Sequence, residues 1–167
     1  IVYVDREKGE IKHIGGTGVG GGTLKGLSHY LLHKQNLKLL SKLALTGDPS
    51  KVNLTVKEIT GGSVGIVPGD ATASNFGKIS EDAEEQDLCR GIFQLVGEVI
   101  GTIAFFAAKA FNAQEDIVLV GGPVSIEPLK TIILDTIKLF GGKAIIPENA
   151  EYCSAIGAAR ALLDNLT

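Results

Sequence analysis

The chain has 167 residues, of which 44% are hydrophobic, 21% are charged and 5% are aromatic. This length and composition predict one soluble globular domain with a hydrophobic core. The formal net charge is −3, so the sequence shows no basic surface of the kind that binds nucleic acid. Glycine departs from the average: 22 glycines cluster in a few loops, where the backbone turns tightly or approaches another group closely.

The cysteines and the apolar segments bear on the cellular location. Cys89 and Cys153 are too few for a zinc set or a disulfide framework, so we predict two buried, reduced cysteines in a cytoplasmic protein. The longest apolar stretch, 96–108, contains Glu98, and we interpret it as too short and too interrupted to cross a bilayer. The chain has no Met and begins at Ile1 inside a strand-like run, so we interpret it as a fragment.

Hydrophobic periodicity and turn residues predict the elements of the first half. A charged turn with a glycine separates two short apolar runs, which is typical of a β-hairpin. Leucines at helical spacing follow the first glycine loop. Asp48 before Pro49 is typical of a helix N-cap. In chain order we expect strands at 1–4 and 11–14, the glycine loop at 15–23, helices at about 23–33 and 37–45, an ambiguous strand or helical turn at 52–59, and loops at 61–77.

The second half is predicted to contain the longest helix and then two strand–helix units. The helix is expected over Glu81–Phe111, with acidic residues in its first turns. Its expected apolar stripe consists of Leu88, Ile92, Leu95, Val99, Ile103 and Phe106 or Ala107. The later elements are expected at 117–120, 126–140, 144–146 and 150–163. This order predicts a single α/β domain, 1–167, in which a mixed sheet is flanked by helices.

The loop from Gly15 to Thr23 has the composition of a phosphate-binding segment. Closely spaced glycines allow backbone amides to approach an anion, and a helix N-terminus adds partial positive charge. Thr17 and Thr23 are expected to offer hydroxyl donors, and Lys25 could reach a phosphate oxygen. The alternative is a tightly turned loop that binds nothing.

Two better-known glycine motifs do not fit this loop. A Walker A motif requires Gly-Lys-Ser/Thr at its end, whereas Gly22 is followed by Thr23 and Leu24. The spacing Gly16-x-Gly18-x-x-Gly21 matches a dinucleotide fingerprint by letters. However, the acidic residue expected about 20 positions later is absent, and a hairpin precedes the loop.

Other candidate site residues are weaker. Gly121 and Gly122 follow an apolar strand pattern, and such strand ends often hold ligands in α/β sheets, although a plain turn is the alternative. His29 and His33 lie four residues apart, but no acidic ligand stands nearby, so we predict surface histidines and no metal site. Glu98, inside an apolar stripe, could be a general base or could lie at the edge of a packed or dimeric surface.

Several segments in a fixed order carry a resemblance to a known family. They run across nearly the whole chain, and their combination is more specific than any single one. The segments are 15–27, 47–48, 68–77, 96–100, 118–121, 147–151 and 155–158. In these residues the chain resembles the type II pantothenate kinases.

The resemblance implies a fold and an activity. The fold would be the carboxy-terminal half of an actin-like (ribonuclease H-like) ATPase, with its first strand missing. The activity would be transfer of a phosphoryl group from ATP, with Mg²⁺, to pantothenate, the first step of coenzyme A biosynthesis. The amino-terminal half, with the first phosphate loop and the catalytic acid, would precede Ile1, so the catalytic base is not among these residues. The family's homodimer would form through the helix around Glu81–Phe111.

The resemblance also implies roles for particular residues. The substrate would be contacted by His13, Gly16, Thr72 and Ala73. Where the family usually has an arginine, this sequence has His13, which is shorter and only partly charged near neutral pH. ATP would be bound by Gly20, Gly21, Gly22, Thr23, Leu24, Lys25, Gly121 and Gly122.

Three alternatives stay open at the level of the sequence. The first is another small-molecule kinase of the same fold, such as an N-acetylhexosamine kinase. The second is a non-catalytic ATPase-type regulator, although two distant cysteines do not supply the iron–sulfur set that dehydratase activators carry. The third is a degenerate binding module, which the substitution at His13 would suit.

Overall fold

The computed structural model describes residues 1–164, so the last three residues of the predicted domain 1–167 lie outside the described part. The elements are β1 (Val2–Asp5), β2 (Glu10–His13), α1 (Gly21–Leu32), α2 (Leu37–Thr46), β3 (Leu54–Thr55), α3 (Val56–Thr60), β4 (Thr72–Ser74), α4 (Glu85–Lys109), β5 (Ile117–Val118), α5 (Glu127–Leu139), β6 (Ala144–Ile145) and α6 (Cys153–Asp164). Three short 3-10 turns lie at Pro49–Lys51, Gly122–Ser125 and Ala150–Tyr152. The protein is a mixed α/β structure, as predicted.

The strands form three separate pairs, which corrects the prediction of one mixed sheet. β1 and β2 pair antiparallel, β3 and β4 pair antiparallel, and β5 and β6 pair parallel. Within residues 1–164 no strand lies between the hairpin and β5 to connect their hydrogen-bonding edges. β5 ends at Val118, two residues earlier than expected, so the parallel pair is also very short.

The core is built around α4. Ile92, Phe93 and Val96 are fully buried on one side of this helix. They belong to one cluster with Leu24 of α1 and with residues of α2 and α5. Burial of each such side chain contributes about 1.5–3 kcal/mol, so this cluster is a main source of stability. The other fully or nearly buried members from α2, α4 and α5 include Leu40, Ala44, Cys89, Leu129, Ile132, Ile133 and Ile137.

Two glycines allow α4 and α5 to approach closely. A Cβ atom at Gly97 would lie 2.5 Å from Cγ2 of Ile132. A Cβ atom at Gly101 would lie 2.7 Å from Cβ of Thr136 and 3.0 Å from the carbonyl oxygen of Ile133. Because residues four apart share a helix face, the two glycines form one flat contact surface for α5.

Only some residues of the apolar stripe predicted for α4 face the core. Of the predicted residues, Ile92 is fully buried and Phe106 is 50% exposed. Leu95, Val99 and Ile103 are half-buried and lie outside the core cluster. The helix therefore has apolar residues on two faces, and periodicity alone does not tell which face meets the core.

α4 is longer than the apolar stretch 96–108 that was considered as a membrane span in the sequence. The helix Glu85–Lys109 is long and apolar enough to cross a bilayer by length and composition, which the stretch 96–108 alone did not indicate. Core helices of soluble proteins pass the same test, and 39% of its most apolar window is buried inside this protein. The finding is weak evidence for a membrane span.

Several boundaries differ from the predictions. α4 begins at Glu85, after its N-cap Glu84, and not at Glu81. The ambiguous segment 52–59 contains both predicted structures, since the strand β3 leads directly into the short helix α3. Cys89 is buried as predicted, and burial raises the pKa of its thiol to about 12. Cys153 is exposed at the start of α6, which corrects the expectation of a second buried cysteine.

Candidate functional site

The glycine loop connects β2 to α1, and its two threonine hydroxyls are used within the loop. Oγ1 of Thr17 accepts a hydrogen bond from the N–H of Val19 at 3.1 Å. Oγ1 of Thr23 donates to the carbonyl of Gly18 at 3.1 Å and accepts from the N–H of Gly20 at 3.2 Å. The Thr23 hydroxyl is therefore used as a donor within the loop, whereas the Thr17 hydroxyl only accepts there and keeps its hydrogen for a ligand. Both threonines help to fix the loop's shape.

The first turn of α1 has backbone amides without partners in the helix and open space beside its glycines. Gly20 is the N-cap, and the first helical hydrogen bond runs from the N–H of Leu24 to the carbonyl of Gly20 at 3.0 Å. The N–H groups of Gly21 and Gly22 precede this bond and have no acceptor within the helix. A Cβ atom at Gly20 or Gly22 would meet nothing within 4 Å. Together with the exposed Lys25, this helix end is suited to an anion.

The second glycine pair lies directly beside this helix end. A Cβ atom at Gly21 would lie 3.5 Å from Cγ of Pro123, the residue that follows Gly121-Gly122. Gly121 has a φ of 100°, which favours glycine, and its N–H donates to the carbonyl of Ala150 at 2.9 Å. Three segments far apart in sequence thus meet at one place: the glycine loop, the Gly121 turn and the turn that starts at Ala150.

A groove begins at Ser125, the last residue of the turn Gly122–Ser125. It has a volume of about 460 Å³ and lies between the beginning of α2 and the beginning of α5. Typical small-ligand pockets measure about 300–1,000 Å³, so the groove is large enough for part of a nucleotide. Its lining residues are Leu37, Lys38, Ser41, Lys42, Ser125, Ile126 and Glu127.

Thr72 and Ala73 lie in a different part of the molecule, on β4. Thr72 pairs with Thr55 of β3 and lines a polar cavity of about 90 Å³. Beside this strand pair, Glu58 accepts hydrogen bonds from the ammonium of Lys78 and from the hydroxyl and amide of Thr55. These bonds, with that of Lys78 the largest cause, lower the pKa of Glu58 to about 2. No hydrogen bond of the described residues joins β4 to the glycine loop. The structure therefore places the predicted substrate residues in two groups, with His13 and Gly16 near one end of the glycine loop.

The structure also gives the surroundings of the other two candidate site residues, His13 and Glu98. The side chain of His13 is exposed at the end of β2. Glu98 is half-buried, and its carboxylate accepts hydrogen bonds from the amides of Asn75 and Gln94. Within residues 1–164 no group of three or more histidine, cysteine or acidic side chains is placed to hold a metal ion.

Comparison with known families shows the family of this chain. A family model described as Fumble matches residues 1–160, almost the whole described chain. The chain belongs to the Fumble family. This membership confirms the resemblance to the type II pantothenate kinases that the sequence segments indicated.

Individual Fumble-family relatives are similar to this chain at moderate identity. A protein of Staphylococcus haemolyticus (strain JCSC1435) named type II pantothenate kinase is 33% identical over 152 residues, or 88% of this chain. A protein of the same name from Staphylococcus aureus (strain USA300) is 32% identical over the same length. The chain spans 57% of the length of each of these relatives.

Sequence reasoning missed two residues of the site. Pro123 contacts Gly21, and Ala150 accepts the amide of Gly121. The sequence signal for Pro123 was its position directly after the glycine pair Gly121-Gly122, and the signal for Ala150 was its position inside the family-like segment 147–151. Neither residue type carries chemistry by itself, because one contributes shape and the other a backbone carbonyl.

Proposed function

We propose that this chain is the nucleotide-binding, carboxy-terminal part of an ATP-dependent kinase. The kinase phosphorylates pantothenate to 4'-phosphopantothenate, the first step of coenzyme A biosynthesis. The observation that carries the proposal is the close approach of Pro123 to Gly21, where an added Cβ atom would lie 3.5 Å from Cγ of Pro123. This approach brings the two glycine turns together at the N-terminus of α1. Membership of the Fumble family and relatives named type II pantothenate kinase support this substrate.

In this proposal the ATP phosphates lie against the first turn of α1. The amides of Gly21, Gly22 and Thr23 donate to phosphate oxygens, and Gly20, whose N–H is already bonded to the Thr23 hydroxyl, leaves open space beside them. Leu24 anchors the turn in the core, and Lys25 adds positive charge. Gly121 and Gly122 line the other side, and the groove beyond Ser125 takes the nucleoside. Positioning and charge neutralisation are the main contributions that phosphoryl transfer requires from a protein.

Magnesium would be held chiefly by the nucleotide. Mg²⁺ usually keeps several waters and binds one or two carboxylates together with substrate phosphates. In this proposal phosphate oxygens and water would supply most of the ligands of the ion. When bound, it neutralises the charge that develops on the transferred phosphoryl group.

The pantothenate site is shared between this chain and other parts of the enzyme. His13 and Gly16 contact the substrate beside the glycine loop, while Thr72 and Ala73 contact its arm near the dimer partner. The catalytic base lies before Ile1, in an amino-terminal half of the same actin-like fold. In this proposal the first strand of the carboxy-terminal half itself also precedes Ile1, and it would lie between the hairpin and β5, whose residue Val118 is 55% exposed. A cytoplasmic location fits this role and stays a prediction.

A substrate panel with the full-length protein tests the proposal. We expect ATP-dependent phosphorylation of pantothenate and no comparable phosphorylation of N-acetylhexosamines. Phosphorylation of a sugar alone would replace pantothenate kinase with the sugar kinase alternative, which His13 in place of arginine would then explain. Binding of ATP without turnover of any substrate would favour a regulator or a degenerate module.

A matched pair of glycine substitutions tests the nucleotide site itself. Gly22→Ala places a methyl group in open space in front of the proposed phosphates, so the fold should tolerate it. We expect the Kd for ATP to rise roughly tenfold, the equivalent of one lost amide contact to a charged group. Gly26→Ala, one turn further along α1, is the control and should leave the Kd unchanged. Equal ATP affinity in Gly22→Ala and wild type, measured by calorimetry, would remove the loop from the site.

A further inference from the structure

Glu98 makes contacts that its position in the sequence does not explain. It is the only ionisable residue of α4 between Arg90 and Lys109, and most residues in this part of the helix are apolar. Its Oε2 atom accepts from Nδ2 of Asn75 at 2.8 Å, and its Oε1 atom accepts from Nε2 of Gln94 at 2.6 Å. One carboxylate oxygen is thus devoted to a loop 23 residues earlier in the chain.

The loop that Glu98 contacts is otherwise held by few groups. Asn75 directly follows β4, and the next residue, Phe76, has a φ of 55°, a conformation that costs energy for a bulky side chain. The N–H of Phe76 donates to Oδ1 of the buried Asn53 at 2.9 Å. The Phe76 ring lies over Gly91, where a Cβ atom would be 3.1 Å from Cζ. The Phe76 end of this loop is therefore held by Asn53 and α4, whereas the Asn75 side chain is held by Glu98.

We propose that Glu98 is a positioning residue for the substrate, acting through Asn75. The Asn75–Glu98 contact, here called the clamp, fixes the segment 72–76 against α4. This inference rests on the proposed function, in which Thr72 and Ala73 contact the arm of pantothenate. Glu98 touches neither the substrate nor the nucleotide in this proposal, and it is not the general base.

The chemistry of the clamp separates it from ordinary core packing. A carboxylate placed among apolar residues is costly unless its oxygens are hydrogen-bonded. Both amide partners of Glu98 are donors, and Gln94 also lines the polar cavity beneath Thr72. Glu98 therefore connects α4 to the segment and to the cavity, and it does not connect α4 to α5.

The clamp can be tested in the full-length protein by exchanging the hydrogen-bond donor and acceptor between positions 75 and 98. Glu98→Ala removes the acceptor, and Asn75→Asp places two carboxylates against each other. The double variant Asn75→Asp/Glu98→Gln restores the pair with reversed roles, while Gln94 keeps an acceptor in the new amide oxygen. Glu85→Ala is the control, because Glu85 lies on the same helix and pairs with Lys34 away from the segment.

Two readouts are measured on each variant: hydrogen exchange of the amides of 76–77, and the KM values for pantothenate and ATP. In both single variants we expect exchange at these amides to rise roughly tenfold, since one charge-assisted hydrogen bond is lost. The KM for pantothenate should rise by a similar factor, while the KM for ATP stays within about twofold. The double variant should recover both, and the control should change neither.

The outcomes separate this inference from the proposed function. Unchanged exchange and unchanged pantothenate KM in Glu98→Ala would overturn the clamp. It would also be overturned if both KM values and the melting temperature changed together without recovery in the double variant, because that is the behaviour of a structural residue. Failure of the wild-type protein to phosphorylate pantothenate would overturn the proposed function, and the exchange data would still decide whether the clamp exists.

Discussion

Asp87 shows how one buried side chain fixes the junction of two helices. It is 3% exposed, and its carboxylate accepts from the N–H of Asp48 at 2.8 Å and from the N–H of Glu84 at 2.9 Å. Burial raises the pKa of this group, but the two backbone hydrogen bonds and the charge of Lys51 outweigh burial, so its pKa is lowered. A Cβ atom at Gly47 would lie 2.0 Å from the carbonyl of Gln86. The Gly47-Asp48 segment therefore has a packing role.

Asp87 predicts a pH dependence of stability. Because its pKa is lower in the folded state, its contribution is fully present above the ordinary aspartate value of about 3.9 and is lost as pH falls through the folded value. Asp87→Asn should cost roughly 1–3 kcal/mol of unfolding free energy at neutral pH. The difference from wild type should shrink below about pH 4. Urea unfolding from pH 7 to pH 3 measures it, and a constant difference would contradict the assignment.

The element that organises the fold is α4, and its glycines act in two ways. Gly97 and Gly101 face α5, where side chains and a backbone carbonyl leave no room for a methyl group. Gly91 faces Val52 and Phe76, and thus allows the β4 segment to lie against the helix. Glycine in a helix interior normally weakens the helix, so its use at three contact positions of one helix indicates that close packing offsets this cost.

Two glycine substitutions with opposite expected effects on the unfolding free energy test whether close packing requires glycine at these positions. Gly101→Ala should lower the unfolding free energy by about 1–3 kcal/mol, because the carbonyl oxygen of Ile133 cannot move away without shifting α5. Gly26→Ala, in the exposed face of α1 with nothing near its Cβ position, should raise it by about 0.5–1 kcal/mol through helix propensity. Thermal or urea unfolding measures both. Stabilisation by Gly101→Ala would show that the α4–α5 contact is looser than described.

At the scale of the whole molecule, several apolar surfaces remain uncovered within residues 1–164. Leu95, Val99 and Ile103 form a half-buried row on α4 outside the core cluster. α6 is exposed along its length, and Val118 on the outer face of the parallel strands is 55% exposed. We propose that the row on α4 meets its equivalent in a second copy, and that α6 and the outer face of the strands meet the amino-terminal half.

The dimer proposal predicts a change of oligomeric state. Val99→Arg places a charge in the middle of the α4 row, where burial against a second copy would leave it unpaired. We expect the full-length protein to sediment as a dimer and the variant to sediment largely as a monomer with its fold retained. Asp135→Arg, on the exposed surface of α5, is the control and should remain dimeric. A Val99→Arg variant that stays fully dimeric would place the interface elsewhere.

The sequence by itself determined the kinds and order of most elements and the identity of the family. The α1 and α2 leucines have a clear helical period, and the hairpin, α4 and the later strand–helix units lie close to their predicted positions. These features depend on local periodicity and turn residues, which are readable in one dimension. The glycine loop was also recognisable, because its density of glycine has few structural explanations.

The tertiary structure alone decided how these pieces meet. Thr23 was expected to be a ligand donor, and only folding shows that its hydroxyl is used inside the loop. The core face of α4, the burial of Cys89 but not Cys153, and the splitting of the expected sheet into three pairs depend on neighbours distant in sequence. The same is true of the contact between Gly21 and Pro123, which are about a hundred residues apart in the chain. Such contacts depend on packing in three dimensions, for which a single sequence carries no local signal.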